Sequence, residues 1–251
     1  MDLIINVIRL EKMGELFSMH MGAVIVGVVF MLISLVVAGR LRSKFAKYSK
    51  VRLMNGLTGR EVAERMLRDN GIHDVKVIHV AGQLTDHYNP MNKTVNLSEA
   101  VYHQSSAAAA AVAAHEVGHA VQHAKAYKWL NFRSAMVPIQ NASGMIMNII
   151  VMAMIFGGAA LASTFPLSTV IWVIVGAQAV ITLFTIITLP VEFDASKRAV
   201  QWIEANGIVT AQENAMAKDA LKWAAMTYVV AALAAITTLI YWVMMLLGSR
   251  D

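Results

Sequence analysis

The chain has 251 residues, of which 57% are hydrophobic and 15% charged, and it contains no cysteine. No disulfide and no thiolate metal site can form, which fits a cytosol-facing protein. The net charge of +5 comes largely from one short basic run, which reads as a tether touching anionic lipid and not as a nucleic-acid surface.

The apolar residues are grouped. Leu16–Gly39 carries no charge unless His20 is protonated, and Ser134–Val191 and Trp223–Ser249 carry none. A membrane crossing takes about 20 apolar residues, so these stretches provide one, two and one spans. The middle stretch is divided at "ASTFPLS" (Ala162–Ser168), where Pro166 cannot donate a backbone hydrogen bond and the hydroxyls suit a wet turn. The expected spans are Phe17–Ala38, Ser143–Ala162, Leu167–Leu189 and Ala225–Leu247. The first lacks a small-residue cleavage site and reads as a retained anchor.

Directly after the first span, "RLRSKFAKYSKVR" (Arg40–Arg52) holds six basic residues and no acid. The positive-inside rule puts it in the cytoplasm and the N-terminus outside. The fold class expected is thus an α-helical multi-pass membrane protein of about four spans with a cytoplasmic α+β region. Its parts are a short outer N-terminus and first span (1–39), the cytoplasmic α+β region (40–142), a transmembrane hairpin (143–190), a cytoplasmic helical segment (191–223), and a fourth span with a short outer tail (224–251).

Within 40–142, "TGREVAERMLRDNG" (Thr58–Gly71) predicts a helix. Thr58 and Glu61 make a capping box, Val62, Ala63, Met66 and Leu67 form one apolar face, and Gly71 stops it. "VKVIHV" (Val75–Val80) and "KTVNLS" (Lys93–Ser98) read as strands, with turn chemistry in "DHYNPMNK" between them. The run "AAAAAVAAHEVGHAVQHA" (Ala107–Ala124) is then a helix of the strongest helix former, capped by Ser105 or Ser106.

His115, Glu116 and His119 interrupt that alanine helix. Four residues apart, both imidazoles leave one face. Glu116 lies about 100° round, near enough to flank a metal without binding it. This is the arrangement of H-E-x-x-H, in which two neutral imidazoles bind zinc and the glutamate takes a proton from the zinc-held water. Catalytic zinc takes a third protein ligand. The position six residues after His119 is Lys125, which cannot serve. His123 shares the face but cannot converge on the same ion along a straight helix, and reads as a neighbouring polar group. The favoured third ligand is Glu192 in "LPVEFDASKRA", at the cytoplasmic end of the third span, above a polar stripe of Gln178, Thr182 and Thr185. Asp194 is the reserve ligand, or an acceptor for an imidazole N–H.

"HVAGQLTDHYNP", "KTVNLSEAVYH", "AAVAAHEVGHAVQHA" and "LPVEFDASKRA" resemble segments of the "putative neutral zinc metallopeptidase" family of bacterial membrane proteins, over most of the chain. More distantly, the sequence is similar to heat-shock membrane proteases and CaaX prenyl proteases, which are gluzincins. The resemblance implies that the cytoplasmic α+β region (40–142) is a zincin-like catalytic region, with His115, His119 and Glu192 as ligands of one zinc ion and Glu116 as general base. Those distant relatives usually have aspartate four residues after the ligand glutamate, where this chain has Ser196. The resemblance also implies an edge strand at Thr94–Leu97, to which substrate adds antiparallel.

The reaction expected is hydrolysis of peptide bonds in membrane or membrane-proximal proteins at the cytoplasmic face of a bacterial inner membrane. His87 and Tyr88 are the leading donors to the oxyanion, with Arg198 behind them. Partners expected are a peptide or membrane-protein substrate, the lipid bilayer, and either a second copy or another membrane protein; nucleic acid is not expected. The rival reading is a non-proteolytic scaffold or chaperone keeping a structural metal site. A transporter ranks last, because the spans lack ionisable residues.

Overall fold

A computed structural model describes the backbone of residues 2–164 and 166–248, and the side chains of 21–156, 166 and 168–248. Side chains of the expected Ala162–Ser168 turn other than Pro166 and Ser168, those of the first span before Met21 and those of the 249–251 tail lie outside the described residues. The chain is mostly helical. The elements in order are α1 (Asp2–Tyr48), α2 (Gly59–Asp69), β1 (Lys76–Val80), β2 (His87–Asn89), β3 (Thr94–Ser98), α3 (Glu99–Tyr102), α4 (Ala107–Ala124), α5 (Lys128–Thr164), α6 (Leu167–Ala205) and α7 (Ala211–Gly248).

Among the described residues four helices are long and apolar enough to cross a membrane, over Met21–Tyr48, Lys128–Phe156, Ser168–Ala205 and Ala211–Gly248. These helices overrun the spans read from hydropathy. Apolar periodicity marks only the part that lipid would touch, whereas the backbone ladder continues into polar sequence wherever no breaker intervenes. Even Pro190 fails to end α6, although it removes one ladder hydrogen bond.

Contacts divide the chain into two compact units, Met1–Leu35 with Met136–Thr185 and Val230–Asp251, and Val36–Ala135 with Ile186–Val229. Among the described residues the first unit has helices and no strand. Ile171, Ile174, Trp242 and Leu246 form its buried centre, while Met145, Ile149, Met152, Ile155 and Phe156 of α5 stay exposed. Gln178 Nε2 and Thr182 Oγ1 of α6 both donate to Ala235 O of α7, at 3.2 and 3.1 Å. These two members of the polar stripe thus face a neighbouring helix, while Thr185 Oγ1 donates to Thr182 O within α6 at 2.8 Å.

The second unit joins a three-stranded sheet to α2, α3, α4 and the adjoining ends of α6 and α7. The strand order is β1-β3-β2. β1 runs parallel to β3 with Lys76 opposite Thr94, and β2 runs antiparallel with His87 opposite Asn96. Two features differ from the sequence expectation. His87–Asn89 is a strand and not part of a turn, and Thr94–Leu97 is the central strand and not an edge. The free edges are β1 and β2.

Local chemistry sets the helix ends here. Thr58 N donates to Glu61 Oε2 at 2.8 Å and Glu61 N to Thr58 Oγ1 at 3.3 Å, closing the capping box. Ser106, and not Ser105, caps α4: its Oγ accepts from Ala109 N at 3.1 Å. Val62, Met66 and Leu67 of α2, Val95 and Leu97 of β3, and Ala199 and Ile203 of α6 bury their side chains with the alanines of α4 in one core. The alanines matter because they let backbones approach. At Gly118 the approach leaves no room for a side chain: a Cβ there would lie 2.7 Å from Ala195 O of α6.

Candidate metal centre

Three side chains from α4 and α6 converge. His115 Nε2 lies 3.4 Å and His119 Nε2 3.6 Å from the same oxygen, Glu192 Oε2. The two imidazoles stand edge to face with centroids 4.8 Å apart. His115, His119 and Glu192 are a group that could hold a metal ion, each offering one ligand atom, all within 4.8 Å of one another. Glu192 is 3% exposed and His119 9%.

The polar atoms around this group show whether a cation fits. His115 Nδ1 pairs with Ser196 Oγ at 3.1 Å and His119 Nδ1 with Gln122 Oε1 at 3.0 Å, so each ring turns its Nε2 towards the carboxylate. Glu192 Oε1 accepts from Arg133 Nη1 at 3.3 Å. Glu192 Oε2 is buried and has no hydrogen-bond partner. A buried anionic oxygen without a partner is costly, and here it faces two imidazole nitrogens. Zinc bonds of about 2.1 Å at tetrahedral angles separate neighbouring donors by about 3.4 Å, close to the two distances found. The donor set therefore fits a divalent ion. Burial alone would push His119 below the ordinary imidazole range, but Glu192 and Glu116 outweigh it and hold the ring above that range.

Glu116 stands beside this group without joining it. Its Oε2 accepts from the backbone N–H of Tyr88 at 3.0 Å, so the free edge of β2 points at the Glu116 carboxylate. The Tyr88 phenol goes elsewhere and pairs with His123 Nδ1 at 2.7 Å. His87 is exposed, with Nδ1 on Thr85 O at 2.8 Å. Arg198 Nε donates to Asp194 Oδ2 at 2.5 Å, and Asp194 in turn accepts from Gln122 Nε2. Asp194 thus meets an amide and not an imidazole.

Three residues here escaped the sequence reading: Gln122, Arg133 and Tyr228. The Tyr228 hydroxyl neighbours the Glu192 carboxylate, within the field of Glu116 and Arg133. Gln122 was within reach of pattern reasoning, because it follows His119 by three residues on a helix. Arg133 and Tyr228 come from other elements, and no spacing rule points to them.

Comparison with known proteins agrees in kind. The chain is 42% identical over 213 residues to "Putative membrane protease YugP" of Bacillus subtilis (strain 168), covering 84% of this chain and 91% of the relative. No solved structure matches it. The model of the family described as "Putative neutral zinc metallopeptidase" matches residues 23–247, and the chain belongs to that family.

Proposed function

We propose that the protein is a membrane-embedded zinc endopeptidase that cuts membrane or membrane-proximal proteins at the cytoplasmic face, with His115, His119 and Glu192 as ligands and Glu116 as general base. Zinc bound there supplies a Lewis acid and a water acidified towards pKa ~7. Glu116 takes the proton of the attacking water and delivers it to the leaving amine nitrogen. The Tyr88 N–H bond at 3.0 Å holds the Glu116 carboxylate in place for both transfers.

The outward edge of β2 beside Glu116 is the natural place for an extended substrate strand. Backbone pairing there gives affinity with little sequence preference. For the oxyanion, His87 and Tyr88 remain candidates on β2, but the Tyr88 phenol must first leave His123. Tyr228, beside Glu192, is a third. Tyr88→Phe, Tyr228→Phe and His87→Ala separate them: loss of the true donor lowers kcat by about 10²-fold or more and loss of either of the others changes little.

The observation that carries this reading is Glu192 Oε2, buried without a hydrogen bond between two imidazole nitrogens. The test is Glu116→Gln in the full chain in lipid. It should keep zinc, measured by elemental analysis against His115→Ala, and lose cleavage of membrane-protein fragments. Cleavage at the parent rate ends the general-base assignment. A chain that keeps its cellular role with this substitution is a scaffold.

A further inference from the structure

Gln122 is fully buried and follows His119 by less than one turn. Its Nε2 donates to Val191 O at 2.8 Å and to Asp194 Oδ2 at 2.8 Å, both on α6. A backbone carbonyl and a carboxylate paired with Arg198 at 2.5 Å accept and cannot donate. The two N–H bonds of the amide are therefore both committed. Turning the amide over would set its oxygen against two acceptors and leave both unsatisfied in a buried place. The orientation of Gln122 is thus dictated from α6, and only Oε1 remains to face His119.

Oε1 lies 3.0 Å from His119 Nδ1, and a carbonyl oxygen accepts only. Nδ1 must then carry the proton. In the neutral ring this leaves the lone pair on Nε2, the atom 3.6 Å from Glu192 Oε2. We propose that Gln122, set by Val191 and Asp194, is a positioning residue that fixes the tautomer of His119 and presents Nε2 as a ready metal ligand. His115 differs. Its Nδ1 meets Ser196 Oγ, and a hydroxyl serves either as donor or as acceptor, so that bond leaves the tautomer open. The chain Arg198–Asp194–Gln122–His119 also makes the α6 turn that bears Glu192 the element that orients the second imidazole. This assignment rests on the metal-site reading above and deepens it.

The test has two readouts on the full-length chain in detergent micelles. The first is the ring tautomer of His119, from long-range nitrogen–proton NMR correlations of the metal-free, histidine-labelled protein at alkaline pH. The parent should show the Nδ1–H form at His119. Gln122→Met should shift it towards Nε2–H and leave His115 as it was. The second is zinc affinity by chelator competition, expected to weaken roughly 10- to 100-fold in Gln122→Met. Asp194→Asn should weaken zinc binding in the parent background and add nothing in the Gln122→Met background, since both act through one bond. An Nε2–H form at His119 in the parent overturns the proposal, and so does parental zinc affinity in Gln122→Met or full additivity of the two substitutions. If Gln122→Met does not fold, the parent tautomer alone decides. A parent chain that binds no zinc refutes the peptidase reading, while the tautomer result still stands or falls on its own.

Discussion

The two oxygens of the Glu192 carboxylate have different surroundings. Oε1 accepts from Arg133 at 3.3 Å, while Oε2 is buried without a hydrogen bond. Burying such an oxygen costs free energy until a cation or a proton joins it, so metal binding and folding must be linked. Chelation should lower the melting temperature of the parent. Glu192→Gln should take zinc content from about one ion per chain to near none, and its melting temperature should no longer respond to chelator. An unchanged chelator response would refute the linkage. Asp86 gives a pH dependence of its own. Burial lifts its carboxyl above the ordinary range, although it accepts from Ser98 N at 2.7 Å and Ser98 Oγ at 3.1 Å. The folded chain then keeps this proton over a window where the unfolded chain has lost it. The stability the proton confers is complete below the unfolded pKa of about 3.9 and is lost as pH rises through the raised folded value. Asp86→Asn should therefore slow hydrogen exchange at the Ser98 amide at neutral pH, and equal exchange would count against this reading.

The site is as precise as the packing of α4 against α6. Gly118 permits it, since a Cβ there would sit 2.7 Å from Ala195 O, a backbone atom that cannot step aside. Gly118→Ala should cost about 1–3 kcal/mol by overpacking and weaken zinc binding as His119 and Glu192 separate. Full zinc affinity in a destabilised variant would break that connection. At the helix ends, Thr210 and Glu213 exchange hydrogen bonds, with Thr210 N to Glu213 Oε2 at 2.6 Å and Glu213 N to Thr210 Oγ1 at 3.3 Å. Thr210→Ala should cost about 1 kcal/mol, read in denaturant titration. Helix limits of this kind were legible in the sequence: Thr58, Glu61 and Gly71 bound α2 as their chemistry requires. Strand β2 was not. It ends in Asn89 and is flanked by Asp86 and Pro90, all of which favour turns, and it exists because Asp86 reaches Ser98 and the Asn96 side chain donates to His87 O at 3.2 Å. Those bonds cross between segments, so no local propensity reports them.

At the scale of the whole molecule, the four helices of membrane-crossing length among the described residues and the basic run after the first lead to a topology that can be tested. Cysteines introduced at Ser43 and Ser163 should label from opposite sides of the membrane, and labelling of both from one side would overturn the four-span arrangement. The six basic residues of Arg40–Arg52 are the reason to expect Ser43 on the cytoplasmic side.

By itself the sequence determined what depends on composition and short-range spacing. Length and hydropathy give the apolar helices, because lipid demands long uninterrupted stretches. Helical geometry puts His115 and His119 on one face, because residues four apart are neighbours on any α-helix. Only the tertiary structure decided what depends on register and on pairs far apart in the chain. It sets β3 between β1 and β2, turns the Tyr88 N–H to Glu116, and aligns Gln122 between His119 and Asp194. Hydrogen-bond direction between segments follows from how they pack, and packing is settled by the whole set of contacts and not by any local run of residues.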